Sequence, residues 1–252
     1  MKHALITSAI ALGLLAGACT TPPPDVLVMC SNGYRAVMQD LARQYAISTS
    51  QPVGSSFDLS ANLARRIEAG EPFDVAILTP ALIESLTQRG FLMKGSSVPL
   101  AVSPIGVAIR AGTAKRDVQS LDAIRQTLLA ASSIAYAREG AASGFFRGLL
   151  EKLALAEPLK DKVRPLASGA EVTAAVRAGD VELGVIPISE ILPVEGIEVG
   201  GSFPDTLGGS VTMVSAVSQA TKHEAAARSL VAFLSGSAAA PVLQLRGMTP
   251  PR

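Results

Sequence analysis

From Asp25 onward the sequence alternates short β-branched runs with longer stretches rich in Ala and Leu. That alternation, more than any single motif, restricts the chain to α/β units built around a mostly parallel sheet. Residues 26–30 read as a buried strand broken by Ser31-Asn32-Gly33, after which Val37, Leu41 and Tyr45 recur at helical spacing. Strand, tight loop and helix then repeat: strands over 52–57 and 73–78, helices over 59–69 and 80–88, with Gly70 and Gly90 as stops. The apolar run 98–110 is interrupted by Pro104, which a central strand of one sheet tolerates poorly, so the chain is expected to cross there from one lobe to another. Beyond it the pattern predicts strands over 133–137, 163–166 and 183–186 and helices over 144–154 and 171–178. A returning strand over 211–217 and an amphipathic helix over 222–234, with Ala226, Leu230, Val231 and Leu234 on one face, bring the chain back. The expected organisation is one lobe of residues 26–103 and 208–252 and a second of residues 104–207.

Residues 1–18 read as a signal peptide, with the charge of Lys2, an apolar run from Ala4 to Leu15, and Ala16-Gly17-Ala18 directly before Cys19. Small residues ending at a cysteine resemble the bacterial lipobox, which makes Cys19 the expected lipidation site; plain cleavage after Ala-Gly-Ala is the alternative. The Pro-rich residues 19–25 read as an extended tether to a membrane-anchored lipoprotein's folded part. With Cys19 lipidated, Cys30 is the remaining thiol of the 252-residue chain and no intrachain disulfide forms, so Cys30 is expected as a small buried residue at a strand end. A hydrophobic content of 48% with 17% charged residues excludes a disordered chain. Lys plus Arg number 22 against 21 Asp plus Glu, and with 4% aromatics and no Trp the chain lacks both the basic patch and the stacking surface of a nucleic-acid binder.

Small polar residues gather at three strand-to-helix junctions: Ser31-Asn32-Gly33, Ser60-Ala61-Asn62 and Ala141-Ala142-Ser143-Gly144. In open α/β sheets such junctions lie at the carboxyl ends of strands, where ligands bind. Helix starts expose unpaired N–H groups and a partial positive charge, so several converging ones hold an anion without a basic side chain. The competing reading is helix capping, for which Ser and Asn are the ordinary residues.

The family resemblance rests on Ser31-Asn-Gly-Tyr-Arg-Ala-Val37, Ser55-Ser-Phe-Asp-Leu-Ser60, Leu63-Ala-Arg-Arg-Ile-Glu-Ala-Gly70 and Pro72-Phe-Asp-Val-Ala-Ile77, and continues through Gly140–Gly144, Val176–Asp180, Gly184–Ile186 and a helix from Ala225 to Pro241 followed by Gly247-Met248. On these residues the chain resembles the molybdate-binding and related extracellular solute-binding proteins of ABC importers, over almost the whole mature chain. The resemblance implies a type 2 periplasmic-binding fold of α/β class, with two lobes, mixed sheets flanked by helices, and a ligand cleft between the lobes. It implies Ser31, Asn32, Gly33 and Ser60 as donors from the first lobe, Ala142 and Ser143 from the second, and backbone donors at Gly169 and Ala170. Thr79 is expected either to line the cleft or to cap the helix begun by Pro80. The implied partners are a small anion and an ABC permease, with no cofactor or metal and a monomeric chain; in some members of this fold the bound anion instead signals at the cell surface without transport.

One departure bears on the ligand. Molybdate binders resemble Gly-Ile-Val-Tyr after the last second-lobe strand, whereas this chain reads Gly184-Val-Ile-Pro187-Ile-Ser-Glu190, and a proline has no hydroxyl to give. An organic carboxylate therefore stands beside molybdate as the expected ligand, with Arg35 and Arg138 as possible guanidinium partners for it. Asp74 reads as a structural carboxylate. Catalysis is not expected: serine chemistry needs a base, and the mature chain carries one histidine, His223, in a polar helix start that reads as exposed.

Overall fold

The computed structural model describes residues 26–251; the expected signal peptide, Cys19 and the tether fall outside the described residues. Strands β1 (Val26–Ser31), β2 (Val53–Asp58) and β3 (Val75–Leu78) alternate with helices α1 (Arg35–Thr49), α2 (Ser60–Glu68) and α3 (Pro80–Gln88). The long β4 (Val98–Arg110) follows, then α4 (Leu121–Ala130), β5 (Ile134–Ala137), α5 (Ser143–Lys152), β6 (Val163–Leu166), α6 (Gly169–Ala178), β7 (Leu183–Pro187), α7 (Ile188–Ile191) and β8 (Ile197–Ser202). The chain ends in β9 (Ser210–Val217), α8 (Glu224–Ser235) and α9 (Ala239–Leu245). The α/β class with mixed sheets flanked by helices is thus observed.

The strand order is β2-β1-β3-β9-β4-β7-β5-β6, with β8 also on β4. Pairings β1·β2, β1·β3, β5·β6 and β5·β7 are parallel, and every pairing made by β4 or β9 is antiparallel. Pro104 does not end β4. Its register partner is Ser210 on β9, and from Ile105 onward the strand pairs with β7 and β8 instead, so the residue without an N–H sits where the strand changes partners. The return to β9 needs two adjacent glycines for different reasons. Gly208 has φ +77°, and a Cβ on Gly209 would lie 2.7 Å from the carbonyl oxygens of Phe203 and Pro204.

The register fixes where the loops point. Leu78, at the carboxyl end of β3, pairs with Val214, and Val214 pairs with Pro99 of β4; Pro187, at the carboxyl end of β7, pairs with Ile105. Both sets of parallel strands therefore aim their carboxyl ends at the middle of β4. The starts of α2, α5 and α7 meet beside it.

Apolar periodicity places the core. Val37, Met38, Leu41 and Tyr45 bury one face of α1, and the Tyr45 ring meets Phe233 of α8 edge-on at 5.3 Å. In α8 Leu230, Val231 and Leu234 are buried as expected, while at the start of the stripe Ala227 is buried and Ala226 only half-buried. The helix expected to run from Ala225 to Pro241 breaks at Gly236 and restarts as α9, with Pro241 in its first turn where a missing N–H costs nothing. Cys30 is fully buried at the end of β1, as expected, and burial pushes its thiol well above the usual range.

His223 departs from its expected exposure. It is half-buried, its Nδ1 3.3 Å from Oδ1 of Asp74, because the turn before α8 folds back over β3. Asp74 is structural, as expected: its Oδ2 accepts the Leu27 N–H at 2.8 Å, and its Oδ1 accepts from the Thr221 hydroxyl.

Candidate functional site

Three helix starts from different parts of the chain border one small cavity. Leu59, the N-cap of α2, Ala142, the N-cap of α5, and Pro187, which precedes α7, line it with Ala137, Gly140, Ser143 and Glu190. Its volume of about 10 Å³ is room for about one water. No side chain caps α2 or α5, and the first N–H of α5, that of Ser143, donates to the Gly140 carbonyl at 3.0 Å.

Ser31 and Ser60 are both buried, and Ser60 Oγ donates to Ser31 Oγ at 2.8 Å. Ser60 is thus the first residue of α2 and not its cap, which shifts the expected junction by one residue. Asn32 lies half-buried in the short 3-10 turn Asn32–Tyr34, and its Oδ1 accepts from Arg35 Nη2 at 2.7 Å. Arg35 is exposed, with its guanidinium 4.5 Å over the Phe57 ring, so its donors are already engaged outside the cavity. The Gly33 carbonyl accepts from Ser189 Oγ at 2.8 Å, and Ser189 Oγ accepts in turn from Ser103 Oγ at 3.1 Å. This buried chain ties the first turn, the centre of β4 and α7 together.

Ala142 and Ser143 both face the small cavity. Arg138 is exposed, and its side chain makes no hydrogen bond or ion pair among the described residues. Thr79 does not join the small cavity. It caps α3 through its backbone and lines a wider neighbouring cavity of about 580 Å³ with Phe145, Ser210 and Thr212; Ala141 borders both. In the Ser168-Gly169-Ala170 loop, Ser168 caps α6 by accepting the Glu171 N–H at 3.2 Å, which starts that helix two residues earlier than expected. Gly169 is buried and Ala170 exposed.

The residue that sequence reasoning missed is Glu190. Its carboxylate lies against two of the expected donor positions: a Cβ on Gly169 would be 1.8 Å from Oε2, and one on Gly33 would be 3.6 Å from Oε1. Gly169 has no left-handed φ, so it is glycine for space alone. By exposed area Glu190 is half-buried, and the protein packed around its carboxyl pushes it up to about 7, against the opposing pull of the Arg35 charge. The only sequence signal was the departure from Gly-Ile-Val-Tyr in this same segment. A carboxylate thus stands beside the expected donor positions.

Across the mouth, Arg65 of α2 pairs with Glu139, beyond β5, at 2.8 Å, both side chains about half exposed. We expect Arg65→Ala to change anion affinity by less than about 1 kcal/mol, with the difference vanishing at high salt; isothermal titration at two ionic strengths measures it. No group of three or more His, Cys, Asp or Glu able to hold a metal ion occurs among the described residues.

Comparison with known proteins agrees with this architecture. The chain is 29% identical over 251 residues to an aconitate isomerase of a Pseudomonas species, covering 96% of this chain and 95% of that one. It is 28% identical over 254 residues to the molybdate-binding protein ModA of Azotobacter vinelandii, covering 98% of each. The solved structure of a periplasmic molybdate-binding protein from A. vinelandii superposes with a TM-score of 0.77 at 18% identity, over 90% of this chain and 100% of that one, so the fold is shared. A family model described as bacterial extracellular solute-binding protein matches residues 26–249. This chain belongs to the bacterial extracellular solute-binding protein family.

Proposed function

We propose that the chain is the solute-binding component of an ABC importer and takes a small anion in the cleft at the middle of β4. Residues 26–103 and 208–252 form one lobe in this reading, residues 104–207 the other, and Cys19 carries the lipid anchor that keeps the protein beside its permease. The observation that carries the reading is the meeting of the α2, α5 and α7 starts on one cavity beside the Ser31–Ser60 hydroxyl pair, with Gly169 of α6 against the Glu190 that lines it. Backbone N–H groups and hydroxyls supply donors without a basic counter-ion, and the field of each helix start favours negative charge. Ser31, Gly33, Ser60, Ala142, Ser143, Gly169 and Ala170 are the residues assigned to the anion. Ser103-Pro104 and Gly208-Gly209 lie on the connections between the lobes and would flex as they close.

Pro187 and Glu190 favour an organic carboxylate over molybdate. A tetrahedral oxyanion offers only acceptors, and Glu190 gives it a like charge to face, whereas two carboxyl groups of similar acidity share one proton readily. Thermal unfolding of the mature chain against molybdate, tungstate, sulfate, phosphate and di- and tricarboxylates tests this, since a ligand that binds only the folded form raises the melting temperature. A response to carboxylates alone is expected. A response to molybdate and tungstate alone would overturn the carboxylate reading, and silence across the panel would overturn the small-anion reading.

A second reading is favoured by Glu190 specifically. A carboxyl that titrates near neutrality inside a ligand cleft is suited to take a proton from carbon and return it elsewhere, which is what moving a double bond within an unsaturated acid requires. The aconitate isomerase relative makes cis- and trans-aconitate the substrates to try. Interconversion followed by chromatography, lost in Glu190→Gln, would establish it; no turnover leaves binding alone.

A further inference from the structure

We propose that an anion entering this cleft is bound together with one proton, which Glu190 takes up. The inference rests on the reading of this cavity as the anion site and specifies how that site is regulated. The carboxylate is seated directly on the start of α6, where Gly169 leaves no room for a side chain, and beside Gly33 of the first turn. Neither of its oxygens receives a hydrogen bond or an ion pair among the described residues, although the helix starts around the cavity are the natural donors to such a group. The carboxylate thus stands at the place where the bound anion's charge is expected.

The charged groups on the surrounding elements do not relieve that conflict. Arg35, at the start of α1, is the one whose charge acts on Glu190, and it is held on Asn32 and the Phe57 ring. On α6, Glu171 accepts the Ala167 N–H, and Arg177 lies at the far end beside Gly196. On β8, Glu198 is paired with Lys115 and the Gly112 N–H, and Arg110 closes the distant end of β4. β7 contributes no charged side chain. Two negative charges in one narrow space disfavour each other's ionised forms, so the anion raises the proton affinity of Glu190 and the neutral carboxyl becomes a donor to it. Burial already holds the free group near 7, so a further rise of roughly two units or more keeps the proton on Glu190 in the complex up to pH 9.

The linkage has a definite sign. Below the titration of free Glu190 the proton is already present and affinity is independent of pH. Above it, each unit of pH removes the binding-competent form tenfold, and dissociation constants rise accordingly. The test is calorimetric titration of the mature chain with molybdate and with propane-1,2,3-tricarboxylate from pH 6 to 9, in two buffers of different ionisation heat. The expected result, read on the tricarboxylate as the favoured ligand class, is uptake of about one proton per tricarboxylate bound above pH 7, with affinity falling about tenfold per pH unit, and a pH-independent affinity in Glu190→Gln that exceeds the wild type at pH 9. Binding by the wild type with no proton uptake and no pH dependence overturns the proposal, as does loss of binding at every pH in a folded Glu190→Gln, which would make the ionised carboxylate an acceptor for the ligand. Should Glu190→Gln not fold, the proton uptake of the wild type decides alone. Failure of both probes to bind at any pH removes the small-anion reading itself and the proposal with it.

Discussion

Glu190→Gln raises the stability of the folded chain by about 2–3 kcal/mol at pH 8.5 and leaves it unchanged near pH 4. The Glu190 carboxyl rises from its ordinary 4.5 to about 7 because burial penalises its charged form more than Arg35 favours it. In the unfolded chain the same group ionises at its ordinary value, so between about 4.5 and 7 the folded state holds a proton that the unfolded state releases. The stability associated with that proton is full below the unfolded value and is lost as pH rises through 7. Gln has the shape of the neutral acid and no charge to bury, so the variant keeps at high pH what the wild type loses. Urea denaturation at pH 4, 6 and 8.5 measures the difference. Parallel pH profiles for the two proteins would show that Glu190 titrates as an ordinary exposed carboxyl and would remove the physical basis for its role in the cleft.

A residue that lowers stability where the protein works is more readily explained by function than by folding. Its position explains why sequence reasoning passed over it. Glu190 acquires meaning only through Gly169 and Gly33, one twenty-one residues away and the other on the far side of the crossing strand, and no local pattern links them. The elements read most accurately were those with strong local signals: Pro80 opens α3 and Gln88 closes it at the expected residues, and the β6 boundaries also coincide. Strand β8 was missed because Gly200 and Gly201 look like a loop. They are glycine because the backbone packs tightly: a Cβ on Gly201 would sit 2.5 Å from the Arg116 carbonyl, and one on Gly200 2.7 Å from Ile109 Cγ2. Helix α4 carried a readable signal, since Ser120 caps it and Ile124 and Leu128 are buried at helical spacing, yet it was overlooked. Glycine-rich strands and short helices such as α7 are set by tertiary contact, and their periodicity is too brief to announce them.

The hydroxyls assigned to the anion yield the largest expected effect. Removing those of Ser31 and Ser143 together should weaken anion binding by about 3–6 kcal/mol, since each hydrogen bond to a charged group contributes about 1.5–3 kcal/mol and the two lie on different lobes in the proposed division. Ser31 is placed to matter more than Ser60. In the Ser60–Ser31 bond Ser60 is the donor, which leaves the Ser31 proton free for the ligand and makes it a stronger donor by polarisation. Ser60 then acts through Ser31, so Ser60→Ala costs less than about 1 kcal/mol in the wild type, against about 1.5–3 kcal/mol for Ser31→Ala, and close to nothing once Ser31 is already Ala. A double-mutant cycle on these positions, with affinities from calorimetry at pH 6 where Glu190 is neutral, separates relay from independent contact. Full additivity of Ser31→Ala and Ser60→Ala would mean that each hydroxyl reaches the ligand separately. Unchanged affinity in the Ser31→Ala/Ser143→Ala variant would take the site away from the middle of β4 and toward the wider cavity lined by Thr79, Phe145 and Thr212.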